Sequence, residues 1–206
     1  MLKHKLMILS GALFGFLSSL LVVFGNPMNM GLCIACFLRD ISGAVGIHNA
    51  GVVQYIRPEI SGLILGAMIA SVAFKEFKSV GGSSPMTRFV LGIFVMIGAL
   101  IFLGCPLRMI LRIAGGDLNA IIGLLGFSFG IVIGIFWLNK GFSLKRNYKQ
   151  NKTEGSLISV FAIGILTLLI MAPAFIKFST EGPGSMAAPI AIALGFGLLA
   201  GFFAQC

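Results

Sequence analysis

The sequence predicts an all-α, polytopic integral membrane protein with about six transmembrane helices and two short re-entrant or pore-lining helices. Of its 206 residues, 58% are hydrophobic and only 10% are charged, whereas soluble domains carry about 25% charged residues. The apolar residues form long runs, and most basic residues lie between these runs. A chain of this length with this many spans has little room for a soluble domain, so we expect residues 1–206 to form a single membrane domain.

The apolar runs give the predicted spans in chain order. They cover residues 6–24, 60–74, 88–104, 118–138, 156–173 and 187–205. Residues 1–104 contain the first span, a cysteine-containing re-entrant segment and two more spans, and residues 105–206 contain a second such segment and three spans. The first run is long, and no Ala-x-Ala site follows it before Asn26-Pro27, so we interpret it as a retained span and not as a signal peptide.

Two segments, 26–57 and 105–117, interrupt the apolar pattern. Both have Pro or Gly near their start, both contain Arg and Asp, and neither has enough consecutive apolar residues for a helix that faces lipid. Charged side chains are costly in lipid, and irregular backbone is tolerated at membrane depth only where protein or a cavity covers it. The sequence therefore predicts re-entrant or broken helices in these two segments.

The positions of the basic residues predict the orientation of the chain. Ten of the fifteen Lys and Arg residues lie in three short segments: Lys3 and Lys5; Lys75, Lys78 and Arg88; Lys140, Lys145, Arg146, Lys149 and Lys152. The positive-inside rule assigns such segments to the cytoplasm. They all face the cytoplasm if the amino terminus is cytoplasmic and the two interrupting segments do not cross. The net charge of +9 thus indicates topology in a lipid bilayer and not nucleic-acid binding.

A Cys-x-Leu-Arg element occurs twice, as Cys36-Phe-Leu-Arg39 and as Cys105-Pro-Leu-Arg108. In a helix, residues three apart lie on the same face, so each arginine would lie near its cysteine. A guanidinium group lowers the pKa of a nearby thiol, and it attracts anions with a planar fork of donors. The charge pattern places both elements on the outer side of the membrane. We predict that they bind a small anion with sulfur-like chemistry.

Cys33 and Cys36 also form a Cys-x-x-Cys pair, which is found in redox couples and in zinc sites. Zinc needs four ligands, and the spacing of the remaining Cys and His residues does not supply them, so we predict no metal. A membrane thiol-disulfide oxidoreductase that uses Cys33 and Cys36 with a quinone stays open as an alternative. The duplicated element is Cys-x-Leu-Arg and not Cys-x-x-Cys, which favours binding over redox chemistry. We predict no cofactor and no enzymatic activity.

Other charged and polar residues have structural interpretations. Three pairs would let charges lie at membrane depth: Arg39 with Asp40, Arg57 with Glu59, and Arg112 with Asp117. The loop before the first cysteine pair leads into a short helix whose N-terminus would present free N–H groups to an anion. Asn29 in this loop is a candidate pathway residue. Cysteine is also a small apolar packing residue, which is the interpretation we favour for Cys206.

Four stretches together resemble the YeeE/YedE sulfur-transport family, and within it the YedE branch of selenium transporters. They read GNPMNMGLCIACFLRD at 25–40, VQYIRPE at 53–59, GGSSP at 81–85 and MIGALIFLGCPLR at 96–108. The resemblance covers essentially the whole chain. It implies a multi-pass permease of the bacterial inner (cytoplasmic) membrane, in which thiosulfate-uptake members pass substrate along cysteines by transient S–H···S contacts. The matching cysteines are Cys33 or Cys36, and Cys105.

The resemblance also implies a protein of two related halves. Family members continue into a second half with an Arg-x-Cys element, where this sequence ends at Gln205-Cys206. We therefore expect the chain to correspond to the amino-terminal half, and to work with a second repeat half or as a homodimer. A non-autonomous fragment is the other possibility. The expected substrate is a small sulfur or selenium anion, for which Arg39 and Arg108 would be the attracting charges.

Overall fold

The computed structural model describes residues 2–28, 30–82, 84–101, 104–142 and 148–204, and in these ranges the chain is mostly helical. The α-helices are α1 (Leu2–Val23), α2 (Ile34–Ala44), α3 (Pro58–Ala73), α4 (Pro85–Ile101), α5 (Pro106–Ala114), α6 (Leu118–Asn139), α7 (Lys152–Met171) and α8 (Ile190–Ala204). The described residues also form two 3₁₀ turns, Gly51–Val53 and Gly182–Gly184, and two short strands, β1 (Val80–Gly81) and β2 (Tyr148–Lys149).

Four helical stretches are long and apolar enough to cross a membrane. They are Gly51–Ala73, Pro85–Ala114, Leu118–Asn139 and Lys152–Met171, of which Pro85–Ala114 includes residues 102–103 outside the described chain. At the first and last predicted spans, the apolar parts of the helices are Met7–Val23 within the 22-residue α1, and Ile190–Ala204. These apolar parts are shorter than the roughly 20 residues that a span needs. The described chain is mostly helical, as predicted, and its helices are compatible with a membrane protein, but the predicted count of six spans is not confirmed.

The two interrupting segments contain short helices, as their sequences predicted. Helix α2 has 11 residues and α5 has 9, which gives lengths of about 16 and 14 Å at 1.5 Å per residue. A hydrocarbon core is about 30 Å thick, so neither helix could cross it alone. Helix α5 begins at Pro106, in the first helical position, where the missing N–H of proline costs no hydrogen bond.

Helices α3 and α8 form the closest packed pair of the structure. Two glycines of α3, Gly62 and Gly66, lie against the backbone of α8, and Gly201 of α8 lies against α3. A Cβ at Gly62 would come within 2.6 Å of the Leu194 carbonyl oxygen, and one at Gly66 would overlap the carbonyl of Leu198. Both helices thus use glycines four residues apart to bring backbones together, as membrane helices commonly do. Helix α1 packs on α8 and α7 packs on α3.

Connecting segments meet at the two ends of α3. Beyond its C-terminus, β1 pairs antiparallel with β2, with Val80 opposite Lys149. Before its N-terminus, the Ser179 N–H donates to the Gln54 carbonyl at 2.8 Å, and the two 3₁₀ turns are in contact. The two basic loops that were predicted to share one side of the membrane are therefore adjacent.

We predict that Gly66→Ala destabilises the protein, because its new Cβ would overlap the Leu198 carbonyl. Overpacking a close contact costs about 1–3 kcal/mol, and we expect a lower Tm in detergent. Gly130→Ala in α6 is the matched control, because a Cβ there meets no atom within 4 Å. Alanine is the better helix former by about 1 kcal/mol, so the control should keep or raise Tm. Equal Tm values for the two variants would contradict the packing argument.

Candidate functional site

The N-termini of α2 and α5 meet, and each has a cysteine at its N-cap. Cys33 caps α2, and its sulfur accepts the Cys36 N–H at 3.4 Å. Cys105 occupies the N-cap position of α5. N-cap side chains ordinarily supply an oxygen acceptor to the first turn, and in α2 a sulfur takes this role. A cysteine at this position lies beside the positive end of its helix.

The three thiols and one guanidinium form a continuous series of contacts. The Cys105 thiol donates to the Cys33 sulfur over 3.8 Å, and Arg108 Nη1 donates to the Cys36 sulfur over 3.7 Å. All three cysteines are buried and carry free thiols. Met30 and the partly buried Leu107 pack against the same cluster. The structure therefore brings together four of the predicted pathway residues from segments 72 residues apart in the chain.

The two cysteine elements align differently in the structure and in the sequence. The repeated Cys-x-Leu-Arg pattern matches Cys105 with Cys36. By helix position, however, Cys105 matches Cys33, because both are N-caps, and Arg108 matches Cys36, because both are the third helical residue. The contact between Cys33 and Cys105 therefore joins the two N-cap residues, and the contact between Cys36 and Arg108 joins the two residues at the third helical position. The elements are thus shifted by one helical turn, and Cys33, predicted as a supporting thiol, lies between Cys36 and Cys105.

A small cavity lies beside Cys36. Arg39 and Arg108 contribute to its wall, together with Ala35, Cys36, Ala99, Leu100 and Gly104, and its volume is about 20 Å³. That is room for one water molecule, which needs at least about 10–15 Å³, and not for a larger anion. A Cβ at Gly104 would lie 2.7 Å from Arg108 Cδ. The absence of a side chain at this position lets Arg108 fold back over the backbone toward Cys36.

The site is electropositive. The hydrogen bond from the Cys33 thiol lowers the pKa of Cys36 to about 6, and Arg57, Arg108 and Arg39 act in the same direction while burial opposes them. Two helix N-termini add partial positive charge. At neutral pH this environment favours a thiolate at Cys36, or another anion in its place.

A buried ionic network lies behind the thiols and joins two of the predicted ion pairs. Asp40 accepts from Arg39 Nε at one oxygen and from Arg57 Nε at the other, both at 2.7 Å. Arg57 Nη1 also donates to Glu59 Oε1 at 3.3 Å. Asp40, Arg57 and Glu59 are fully buried, and Arg39 is partly exposed at 26%. The network therefore connects α2 with the N-terminus of α3, which the sequence did not predict.

Sequence analysis also missed the polar residues that complete this network. Asn26 is buried, and its Nδ2 donates to Glu59 Oε1 at 3.1 Å and to the Gly31 carbonyl at 3.2 Å. Its Oδ1 accepts the Ala188 N–H at 2.9 Å. The Tyr55 ring lies 4.9 Å from the Arg57 guanidinium carbon. An Asn-Pro pair before a cysteine resembles an ordinary loop, so nothing in the sequence marked Asn26.

The other predicted residues lie apart from the thiols or outside the described chain. Arg112 Nε donates to Asp117 Oδ2 at 2.8 Å, which joins the end of α5 to the start of α6. The hydrogen bond from Arg112 lowers the pKa of Asp117, which also caps α6 by accepting the Asn119 N–H at 3.0 Å. Asn29 and Cys206 lie outside the described residues.

These features define a mostly helical chain, compatible with membrane insertion, that holds three free thiols against a buried ionic network. Comparisons with protein-family models, with curated proteins and with solved structures give no match to this chain.

We predict that Arg57→Met strongly destabilises the fold. It would leave Asp40 and Glu59 buried without their shared guanidinium, and breaking a buried ion pair costs about 3–5 kcal/mol. The free energy of unfolding in mixed micelles measures the loss. Arg112→Met is the matched control, since its partner Asp117 is partly exposed, and it should cost much less. A loss from Arg57→Met no larger than that of the control would contradict a structural role for the network.

We predict that diamide links Cys33 to Cys105. Each thiol gives up one proton and one electron to diamide, and the sulfurs move from 3.8 Å apart to about 2.05 Å. Intact mass should fall by two hydrogens, and peptide mapping should identify the pair. Cys36→Ser should still form this product, while Cys33→Ser should not. A product that joins Cys33 to Cys36 instead would show that the thiols are ordered differently in the membrane.

Proposed function

We propose that this protein is a membrane permease for a small sulfur- or selenium-containing anion, such as thiosulfate or a selenium oxyanion. The observation that carries the proposal is the continuous series Cys105, Cys33, Cys36, which ends on Arg108. Such a series offers a soft anion successive binding positions of the same kind. The resemblance of the sequence to sulfur transporters supports the same assignment.

The chemistry of the side chains suits an anion with one soft terminal atom. Guanidinium groups bind oxyanions through several hydrogen bonds, and Arg39 and Arg108 both line the cavity. A thiol is a weak donor, so its S–H···S or S–H···Se contact is easily exchanged for the next one. Transport requires binding that is weak and divided over several sites. Thiols provide this without forming a covalent bond to the substrate.

In this proposal, the small cavity corresponds to a closed state of the pathway. About 20 Å³ beside Cys36 holds one water molecule, so an anion can enter only when α2 and α5 separate. Both helices are short, and they meet through thiol contacts that are weak compared with the ionic network behind them. We propose that α5 moves away from α2 while the network keeps α2 in place.

The proposed location is the bacterial inner membrane, with the amino terminus in the cytoplasm and six crossings. The adjacency of β1 and β2 supports this topology, because it places two basic loops together. The thiol segments would then enter from the outer side. We propose that the transporting unit also includes a second repeat half or a second copy of the chain, as the resemblance implies.

A thiol-disulfide oxidoreductase is the second candidate function. The observation that favours it is the contact between the free thiols of Cys33 and Cys105 at 3.8 Å. In such a protein the two thiols would become a disulfide, and two protons and two electrons would pass to a quinone. Quinone reduction that depends on both cysteines would favour this function over transport.

We predict that Cys105→Ala abolishes uptake of labelled thiosulfate by proteoliposomes and leaves membrane insertion unchanged. Removing the thiol breaks the series at the contact with Cys33, while alanine is small and apolar enough to be accommodated. Cys206→Ala is the matched control, because the sequence around Cys206 lacks the Cys-x-Leu-Arg pattern, and it should transport normally.

Unchanged uptake by the correctly inserted Cys105→Ala protein would overturn the proposal. Competition between thiosulfate and selenite identifies the preferred substrate. The same measurement on the chain alone and with a co-expressed second half tests whether one chain is sufficient.

A further inference from the structure

Glu59 is a buried carboxylate that the proposed pathway leaves without a role. It lies in the first turn of α3 and is fully buried. Its Oε1 accepts from Asn26 Nδ2, Arg57 Nη1 and the Tyr55 hydroxyl at 3.1, 3.3 and 3.4 Å. Its Oε2 has no hydrogen-bond partner among the described residues. A buried charged oxygen without a donor is unfavourable, and a proton on Oε2 would remove that charge.

The other carboxylate of the network differs from Glu59. Each carboxylate oxygen of Asp40 accepts a hydrogen bond from a guanidinium nitrogen at 2.7 Å, one from Arg39 and the other from Arg57. Charge-assisted hydrogen bonds of this kind occupy both oxygens of Asp40. Of these two carboxylates, Glu59 is the one with an oxygen that has no donor among the described residues, so it is the candidate to receive a proton.

Glu59 is connected to the thiol site by hydrogen bonds. The connection runs from Glu59 to Arg57, from Arg57 to Asp40 and from Asp40 to Arg39. Arg39 lines the cavity beside Cys36. A change of charge in the cavity can therefore affect Glu59 through this chain of hydrogen-bonded groups.

The sum of the charges around the site predicts how a bound dianion would affect proton binding. Arg39, Arg57 and Arg108 contribute three positive charges, and Asp40 and Glu59 contribute two negative ones. The region therefore carries +1 with neutral thiols and zero when Cys36 is the thiolate that the site favours. A dianion makes this sum negative in either state, −1 or −2, and each proton taken up removes one negative charge. In a medium of low dielectric constant, an uncompensated charge is costly, so binding of the anion favours uptake of a proton.

Few other groups around Glu59 could accept that proton. Helix α8 has no titratable side chain, and those of α7 are Lys152 and Glu154, in its first turn. The Asn26 amide does not titrate in this range, and the Tyr55 hydroxyl already donates a hydrogen bond to Glu59. Beyond the network, the competing acceptors are Cys36, if it is a thiolate, and His48, whose Nε2 lies 2.9 Å from the Arg39 carbonyl oxygen.

We propose that Glu59 takes up one proton when a dianion binds at the thiol site, so that transport is coupled to protons. This inference rests on the proposed function. Linkage makes the effect reciprocal: protonation of Glu59 must tighten anion binding. Affinity should therefore weaken as pH rises, by up to about tenfold per pH unit for one linked proton.

Titration calorimetry on the detergent-solubilised full chain tests this inference. Thiosulfate is the probe, because it remains a dianion across the neutral range. Repeating the titration in buffers of different ionisation enthalpy gives the number of protons taken up per anion. We expect about one for the wild type and about zero for Glu59→Gln, whose affinity should not depend on pH. Glu154→Gln is the matched control and should behave like the wild type, because Glu154 is exposed.

Infrared difference spectra provide a second measurement that does not depend on the folding of a variant. Thiosulfate should produce a carboxylic acid band in the wild type if the proton goes to Glu59, and loss of a thiolate without such a band if it goes to Cys36.

The possible failures are distinguishable. Binding of thiosulfate by the wild type without proton uptake would overturn this inference and leave the permease proposal standing. Proton uptake without a carboxylic acid band, or uptake that persists in Glu59→Gln, would overturn the role of Glu59. Absence of thiosulfate binding by the wild type would overturn both.

Discussion

The salt bridge between Arg57 and Asp40 determines where the short helix α2 lies, and the thiol site depends on that position. Helix α2 has only 11 residues, which is too few for an isolated helix to be stable. Its Asp40 is held at 2.7 Å by Arg57, which immediately precedes α3. Helix α3 is in turn fixed against α8 by close glycine contacts. A buried ion pair is not necessarily stabilising overall, but it is unfavourable to break, and it therefore specifies one arrangement.

The meeting of two helix N-termini beside Arg108 concentrates positive charge in an apolar region. Sulfur atoms compensate part of it, since Cys33 accepts the Cys36 N–H and Cys36 accepts from Arg108. Sulfur is a weak acceptor, so the compensation is incomplete. A site of this kind would suit the weak anion binding that the proposed permease requires.

Much of the helical pattern could be predicted, because it depends on local composition. The span predicted at 118–138 is α6 at Leu118–Asn139, bounded by Asp117 and Lys140. The two short helices followed from Pro, Gly and charge in segments 26–57 and 105–117. At both ends of the described chain, the apolar part of the helix, Met7–Val23 in α1 and Ile190–Ala204 in α8, is shorter than a full span.

The contacts of the site could not be predicted, because they join distant parts of the chain. Arg57 meets Asp40 across 17 residues and Asn26 meets Glu59 across 33. The shift of the two cysteine elements by one helical turn could not be predicted from the sequence either. A cysteine and an arginine three apart reveal a shared helix face but not which residue is the N-cap, since that depends on backbone conformation.

The series of thiols has a direction. Cys105 donates to Cys33, the Cys33 side chain hydrogen-bonds to Cys36, and Cys36 accepts from a guanidinium. Negative charge is therefore best stabilised at Cys36, and the three sulfurs differ in reactivity although they are the same chemical group. A soft electrophile, such as a mercurial or an alkylating agent, should find its best target at one end of the series. Selective labelling of that end would leave the other two thiols as reporters of how the helices move.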